Sequence, residues 1–238
     1  MQLLVSVTDP REARAALAGG ADVIDAKDPR RGALGAVAPD RLRAICDVVG
    51  AHRPVSAALG DATQAARIAR AAQTAVAAGA TYVKVGFRGV GSPAMVRHLA
   101  AAAAGVGIGV HLILVGYADW ERAGSPQPAL ILDVAAAVGA SGVLMDTAFK
   151  GVGLFDLVSR DTVGAWVAAA RGAGLLTGLA GSLEGPDLQT AREAGADIVG
   201  VRGAACNGGR TGRVSVARVA ALSALADHAP LARFAGRL

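Results

Sequence analysis

Short apolar runs recur along the chain, each broken by a glycine or a charge and each followed by a longer, alanine-rich stretch with helical spacing. The runs predict strands at Leu3 to Val7, Ala21 to Asp25, Pro54 to Leu59, around Val83, from about Gly107 to Val115, around Val143, at Leu175 to Leu179 and around Ile198. Thr8-Asp9-Pro10, a cap followed by a first-turn proline, starts a helix that runs to Gly19-Gly20. Further helices are predicted at Pro39 to Val49, Ala62 to Ala78, Pro93 to Ala104, Pro128 to Val138, Asp161 to Ala170, Glu184 to Ala194 and Ser215 to Asp227.

A repeat underlies this pattern. Ala18-Gly19-Gly20-Ala21-Asp22-Val23-Ile24 returns as Ala78-Gly79-Ala80-Thr81-Tyr82-Val83, as Val138-Gly139-Ala140-Ser141-Gly142-Val143-Leu144 and as Ala194-Gly195-Ala196-Asp197-Ile198-Val199. In each copy a glycine can end a helix in the left-handed conformation, and a strand follows within a few residues. Eight strand-helix units in 238 residues have the size and count of a closed (β/α)8 TIM barrel, a single domain over 1–238 with its site at the carboxyl ends of the strands. A doubly wound open sheet is the competing architecture, but no Gly-rich dinucleotide turn follows the first strand. Gly105-x-Gly107-x-Gly109 has the wrong spacing for one.

Composition narrows the class. The chain is 53% hydrophobic with eight aromatic residues, and its formal net charge is +5. Dispersed basic residues with few aromatics argue against nucleic acid and favour phosphorylated small molecules. Cys46 and Cys206 lack metal or redox spacing, and no His, Asp and Glu grouping has metal-ligand spacing, so no metal site is expected. The start, Met1-Gln2-Leu3-Leu4-Val5, lacks the basic region of a signal peptide, which points to the cytoplasm. Leu99 to Ala118 carries no acidic or basic side chain, yet it is broken by glycines and His111 and reads as a helix end, a turn and a strand rather than a membrane span. A homo-oligomer is possible for such a fold.

The chemistry lies in the lysines. Of 24 cationic residues, 21 are arginine and only Lys27, Lys84 and Lys150 are lysine. Each sits near the carboxyl end of an alternate strand (the second, fourth and sixth), which is what convergence on one pocket requires. Lysine can lose its proton and attack a carbonyl, and arginine cannot. From an ordinary lysine pKa, neutrality at pH 7 costs about 4.6 kcal/mol. Burial and neighbouring ammonium groups lower that cost. Asp25 lies two residues before Lys27 and would point the same way, while Asp146 and Lys150 bracket a turn.

The last two loops suit a phosphate. Ala180-Gly181-Ser182-Leu183-Glu184 and Val201-Arg202-Gly203-Ala204-Ala205 each place small residues before a helix start, with Gly181, Ser182, Arg202 and Gly203 as the contacts and Ser182 and Arg202 as direct ones. Asp28-Pro29-Arg30-Arg31-Gly32 reads as a solvated charge run or as a lid that carries an arginine to a second phosphate. His111 reads as a hydrogen-bonded core residue, and His52, His98 and His228 as surface residues.

At Asp25-Ala26-Lys27-Asp28-Pro29, Tyr82-Val83-Lys84-Val85-Gly86 and Asp146-Thr147-Ala148-Phe149-Lys150 the chain resembles the (5-formylfuran-3-yl)methyl phosphate synthase family along its whole length. The resemblance implies a lyase on a (β/α)8 barrel that needs no cofactor. Such an enzyme joins two glyceraldehyde 3-phosphate molecules into the furan precursor of methanofuran-type one-carbon coenzymes. It further implies that Lys27 forms the Schiff base, Lys84 transfers a proton, and Asp25, Asp146 and Lys150 assist. Two other readings of the residues stay open: a class I aldolase or sugar-phosphate isomerase, and a non-catalytic protein binding anionic ligands or RNA.

Overall fold

The computed structural model describes residues 1–105 and 110–226. Eight parallel strands close into a barrel in chain order: β1 (Gln2–Val7), β2 (Val23–Ala26), β3 (Val55–Asp61), β4 (Tyr82–Gly86), β5 (His111–Tyr117), β6 (Gly142–Asp146), β7 (Leu176–Leu179) and β8 (Ile198–Val201). The ring is completed by pairing of β1 with β8, Leu4 opposite Gly200. Outside it lie α1 (Pro10–Ala18), α2 (Pro39–Val49), α3 (Ala65–Ala77), α4 (Pro93–Ala104), α5 (Trp120–Ala123), α6 (Pro128–Ala137), α7 (Leu154–Leu157), α8 (Arg160–Gly172), α9 (Gly185–Glu193) and α10 (Val216–Ser223).

The expected alternation is present, and its punctuation has the expected cause. Asp9 caps α1 by accepting from the N–H groups of Arg11 and Glu12, with Pro10 in the first turn. Gly20, Gly79, Gly139 and Gly195 of the repeat all have positive φ, between 68° and 98°. Each therefore turns the chain from a helix into the next strand in a conformation that a Cβ would strain.

The differences concentrate in the loops at the carboxyl ends of the strands. β3 extends to Asp61, two residues past the expected end, through a register shift between Ala58 and Asp61. Consequently α3 starts at Ala65 rather than Ala62. Short helices α5 and α7 occupy the loops after β5 and β6, and a two-stranded ribbon, Cys206–Asn207 with Arg213–Val214, fills the loop after β8. Leu99 to Ala118, expected as a helix end, a turn and a strand, holds the end of α4 and then β5, and no described helix is long and apolar enough to cross a membrane. Gly107 and Gly109, Asp227 and His228 lie outside the described residues.

Paired residues of a parallel ladder share a face, so the register sorts the strands into two surfaces. Outward-facing Leu3, Val5, Ile24, Val83, Val85, Leu114, Val143 and Val199 pack against the helices. Inward-facing Leu4, Val23, Tyr82, Ile113, Leu144, Leu176 and Ile198 fill the lower barrel. Above that apolar plug the inward positions turn polar: Ser6 pairs with Asp25, and Asp25 with Ser56. Charges inside a dry barrel are costly unless paired, and they mark where the site forms.

Candidate active site

β2 delivers Asp25 from the strand and Lys27 from just beyond its end, and both are buried. β4 delivers Lys84, which is the third of five strand residues rather than at the carboxyl end as expected. Lys150 lies four residues past Asp146 at the end of β6, in the following loop. Despite these offsets, Lys27, Lys84, Lys150, Asp25 and Asp146 all line one cavity of about 250 Å³ at the carboxyl ends of the strands.

Within it, two amines are paired and one is not. The Lys84 Nζ lies 2.6 Å from Asp25 Oδ1 in a buried ion pair, and the Ser6 hydroxyl donates to Asp25 Oδ2 at 3.0 Å. The Lys150 Nζ donates to Asp146 Oδ1 at 2.6 Å and to the Thr147 carbonyl and hydroxyl. Burial pushes the carboxyls of Asp25 and Asp146 up. The ammonium groups beside them, Lys84 and Lys27 for the first and Lys150 and Lys27 for the second, more than reverse this and hold both below the usual carboxylate range. The Lys27 amine has no hydrogen-bond or ion-pair partner among the described residues, although its backbone N–H donates to the Val7 carbonyl. Burial drives its pKa down to about 8, helped by Lys84 and Lys150 and opposed by Asp146 and Asp25.

Several supports went unread in the sequence. The Asp119 carboxylate accepts from the N–H groups of Ala148 and Phe149 at 2.7 and 2.8 Å, pinning the loop that carries Lys150. The Phe149 ring is held between the guanidiniums of Arg88 and Arg122, 4.5 and 4.0 Å from its centroid. Tyr117, paired in register with Asp146, donates its hydroxyl to Asp61 at 2.7 Å. Gly86 lies beneath this pair, where an added Cβ would come within 2.5 Å of the Tyr117 hydroxyl. None of these has a local sequence signature, because each contact spans more than 25 residues of chain.

Gly181, Ser182 and Gly203 line the same cavity. Ser182 is the one described non-glycine residue with positive φ, 51°, following Gly181 at 113°. Such conformations cost about 1–2 kcal/mol and cluster at functional sites. The N–H groups of Gly181, Ser182, Leu183 and Gly203 have no acceptor among the described residues.

The expected direct phosphate contact by Arg202 needs correction. Its Nε donates to the Arg210 carbonyl, its Nη1 to the Ser6 carbonyl and Glu12 Oε2, and its Nη2 to Glu12 Oε1 and the Gly212 carbonyl. All five donors of the guanidinium are occupied, so Arg202 fastens the β8 loop to α1. Of the two readings of Asp28 to Gly32, the arrangement seen is that of a solvated charge run, with neither arginine lining the cavity. Pro29–Arg31 is a 3-10 turn capped by Asp28, with Arg30 and Arg31 exposed and Arg31 turned back on the Ala36 carbonyl. The arginines that line the cavity, Arg202 and Arg210, both come from the loop after β8. His111 is half-buried with its Nδ1 3.1 Å from the Ser141 hydroxyl, at the amino end of β5 and away from the lysines.

Similarity to known proteins runs over most of the chain. A family model described as 4-HFC-P synthase matches residues 3–223. A relative from Methanocaldococcus jannaschii named (5-formylfuran-3-yl)methyl phosphate synthase is 39% identical, covering 88% of this chain and 92% of its own. Another of that name from Methanopyrus kandleri is 40% identical, with 90% and 93% covered. Among solved structures, 3-hexulose-6-phosphate synthase from Salmonella typhimurium superposes with a TM-score of 0.66 at 16% identity, covering 94% of this chain and 98% of its own, a likeness of fold alone. By sequence, barrel and the lysine segments together, the chain belongs to the (5-formylfuran-3-yl)methyl phosphate synthase family.

Proposed function

We propose that this enzyme condenses two molecules of glyceraldehyde 3-phosphate into (5-formylfuran-3-yl)methyl phosphate through a Schiff base on Lys27. The observation that carries the reading is the contrast among the amines. Lys84 and Lys150 are each held by a carboxylate, whereas Lys27 is buried, unpaired and has its pKa near 8. A nucleophilic amine must be neutral, and at pH 7 about a tenth of Lys27 would be.

In this scheme the neutral Lys27 Nζ attacks the aldehyde carbon of one triose phosphate, and loss of water gives an iminium. The iminium acidifies the adjacent carbon, and the Lys84–Asp25 pair takes up the released proton. The resulting enamine forms the new C–C bond to the aldehyde carbon of the second triose. The Asp146–Lys150 pair protonates the developing alkoxide and assists the eliminations. Over the whole sequence one inorganic phosphate and two waters leave, the Lys27 amine is regenerated, and no external oxidant or reductant is consumed. The N–H groups of Gly181, Ser182 and Gly203 would hold a phosphate so that the aldehyde reaches Lys27.

Borohydride reduction in the presence of glyceraldehyde 3-phosphate, followed by peptide mass mapping, tests the assignment. The expected adduct is on the peptide containing Lys27, with inorganic phosphate released when borohydride is omitted. An adduct on Lys84 or Lys150, or no adduct, would refute it. A simple aldolase or isomerase would form product without releasing phosphate.

A further inference from the structure

We propose that Arg210 is the side chain that recognises the substrate phosphate, a role for which Arg202 has no donor left. The claim rests on the triose-phosphate reading above for the identity of the ligand, but its geometry stands apart from the lysines.

Arg210 sits in the 3-10 turn Gly209–Thr211 of the β8 loop, half-buried in the wall of the cavity that holds Gly181, Ser182 and Gly203. Its Nη2 donates to the carbonyls of Pro29 and Gly32, at 3.2 and 2.8 Å. The Nε–H and both Nη1–H bonds have no acceptor among the described residues, and no carboxylate forms an ion pair with it. A half-buried guanidinium with unspent donors, beside backbone N–H groups equally unspent, is matched by a tetrahedral oxyanion. The chain also takes care to place it. Arg202, saturated by Glu12 and backbone carbonyls, uses its Nε to grip the Arg210 carbonyl at 3.0 Å. The motif arginine thus acts as a positioning residue for the next one along the loop.

The bonds to Pro29 and Gly32 give the contact a second consequence. Those carbonyls belong to the loop that begins directly after Lys27. A phosphate bound by Arg210 is thereby registered against the strand end that presents the reactive amine, so substrates lacking phosphate forfeit both affinity and alignment.

Titration calorimetry with inorganic phosphate as the probe tests the contact directly. Arg210→Ala should weaken binding roughly tenfold to a hundredfold, the loss expected for a charged hydrogen-bond partner, and Arg210→Lys should recover part of it. Unchanged binding in Arg210→Ala, or no phosphate binding by the wild-type chain, would overturn the proposal. In borohydride trapping, Arg210→Ala should raise the half-saturating concentration of glyceraldehyde 3-phosphate by a much larger factor than that of unphosphorylated glyceraldehyde. Equal losses for both aldehydes would mean a structural role only. Should Arg210→Ala not fold, the wild-type enzyme still decides: inorganic phosphate should shield Arg210 from phenylglyoxal in a peptide map, and equal modification with and without phosphate would count against it. If Lys27 forms no adduct even in the wild-type chain, the Schiff-base reading falls while the phosphate measurements still judge Arg210.

Discussion

Lys27 and Lys84 differ in what surrounds them more than in how deeply they are buried, at 6% and 3% exposed. Lys84 faces a carboxylate across 2.6 Å, so Lys84→Met leaves Asp25 without its ion-pair partner in the barrel, held only by the Ser6 hydroxyl and the more distant Lys27. That variant should lose about 3–5 kcal/mol in chemical unfolding, and Asp25→Asn added to it should restore much of the loss. Additive losses would mean the two groups are not coupled. Lys27→Arg keeps the charge and removes only the ability to deprotonate, and phosphate release should fall by roughly a thousandfold or more with the fold intact by circular dichroism. At this scale the sequence was informative about identity and poor about partnership. Rarity against 21 arginines singled out the lysines, and strand spacing brought them to one cavity. Which arginine is saturated and which is free could not be read there. Arg202 is spent on Ser6 and Glu12, about 190 residues away, and only the closed ring brings them together.

At the scale of elements, the strands and their long helices were legible because each depends on local signals: Asp9 with Pro10 at a helix start, or a positive-φ glycine at its end. The catalytic-face loops were not, since their conformation is set by contacts between neighbouring βα units. The loop after β6 is the clearest case. Asp119, from the preceding unit, holds two of its N–H groups, and Lys150 depends on that loop for its place beside Asp146. Asp119→Ala should destabilise the enzyme by about 2 kcal/mol or more and lower kcat more than it raises KM, since the change displaces a reacting group rather than a binding one. A pure KM effect would show that the loop serves binding alone.

For the molecule as a whole, the depressed pKa of Lys27 links activity to stability. Between about pH 8 and the ordinary lysine value of 10.5 the unfolded chain holds a proton on this residue that the folded chain has released. Stability therefore rises with pH across that window from this group, while Asp25 and Asp146, whose carboxyls are depressed, withdraw their contribution only as acid protonates them. Schiff-base formation should climb through a midpoint near pH 8, measured by initial trapping rates, and Lys84→Met should move that midpoint upward because it removes a neighbouring positive charge. A midpoint near 10.5 would mean that the amine is not perturbed in solution.

The ring is closed by the pairing of β1 with β8 and locked by Arg202 gripping Ser6 and Glu12. On the ribosome, all three amines emerge well before those last segments do. Until then Lys27 stands in water with the basicity of any lysine, almost wholly protonated and slow to add to a carbonyl. A nascent chain therefore carries an ordinary lysine at this position, and the lowered basicity of Lys27 belongs to the folded barrel, where Asp25, Lys84, Asp146 and Lys150 surround it.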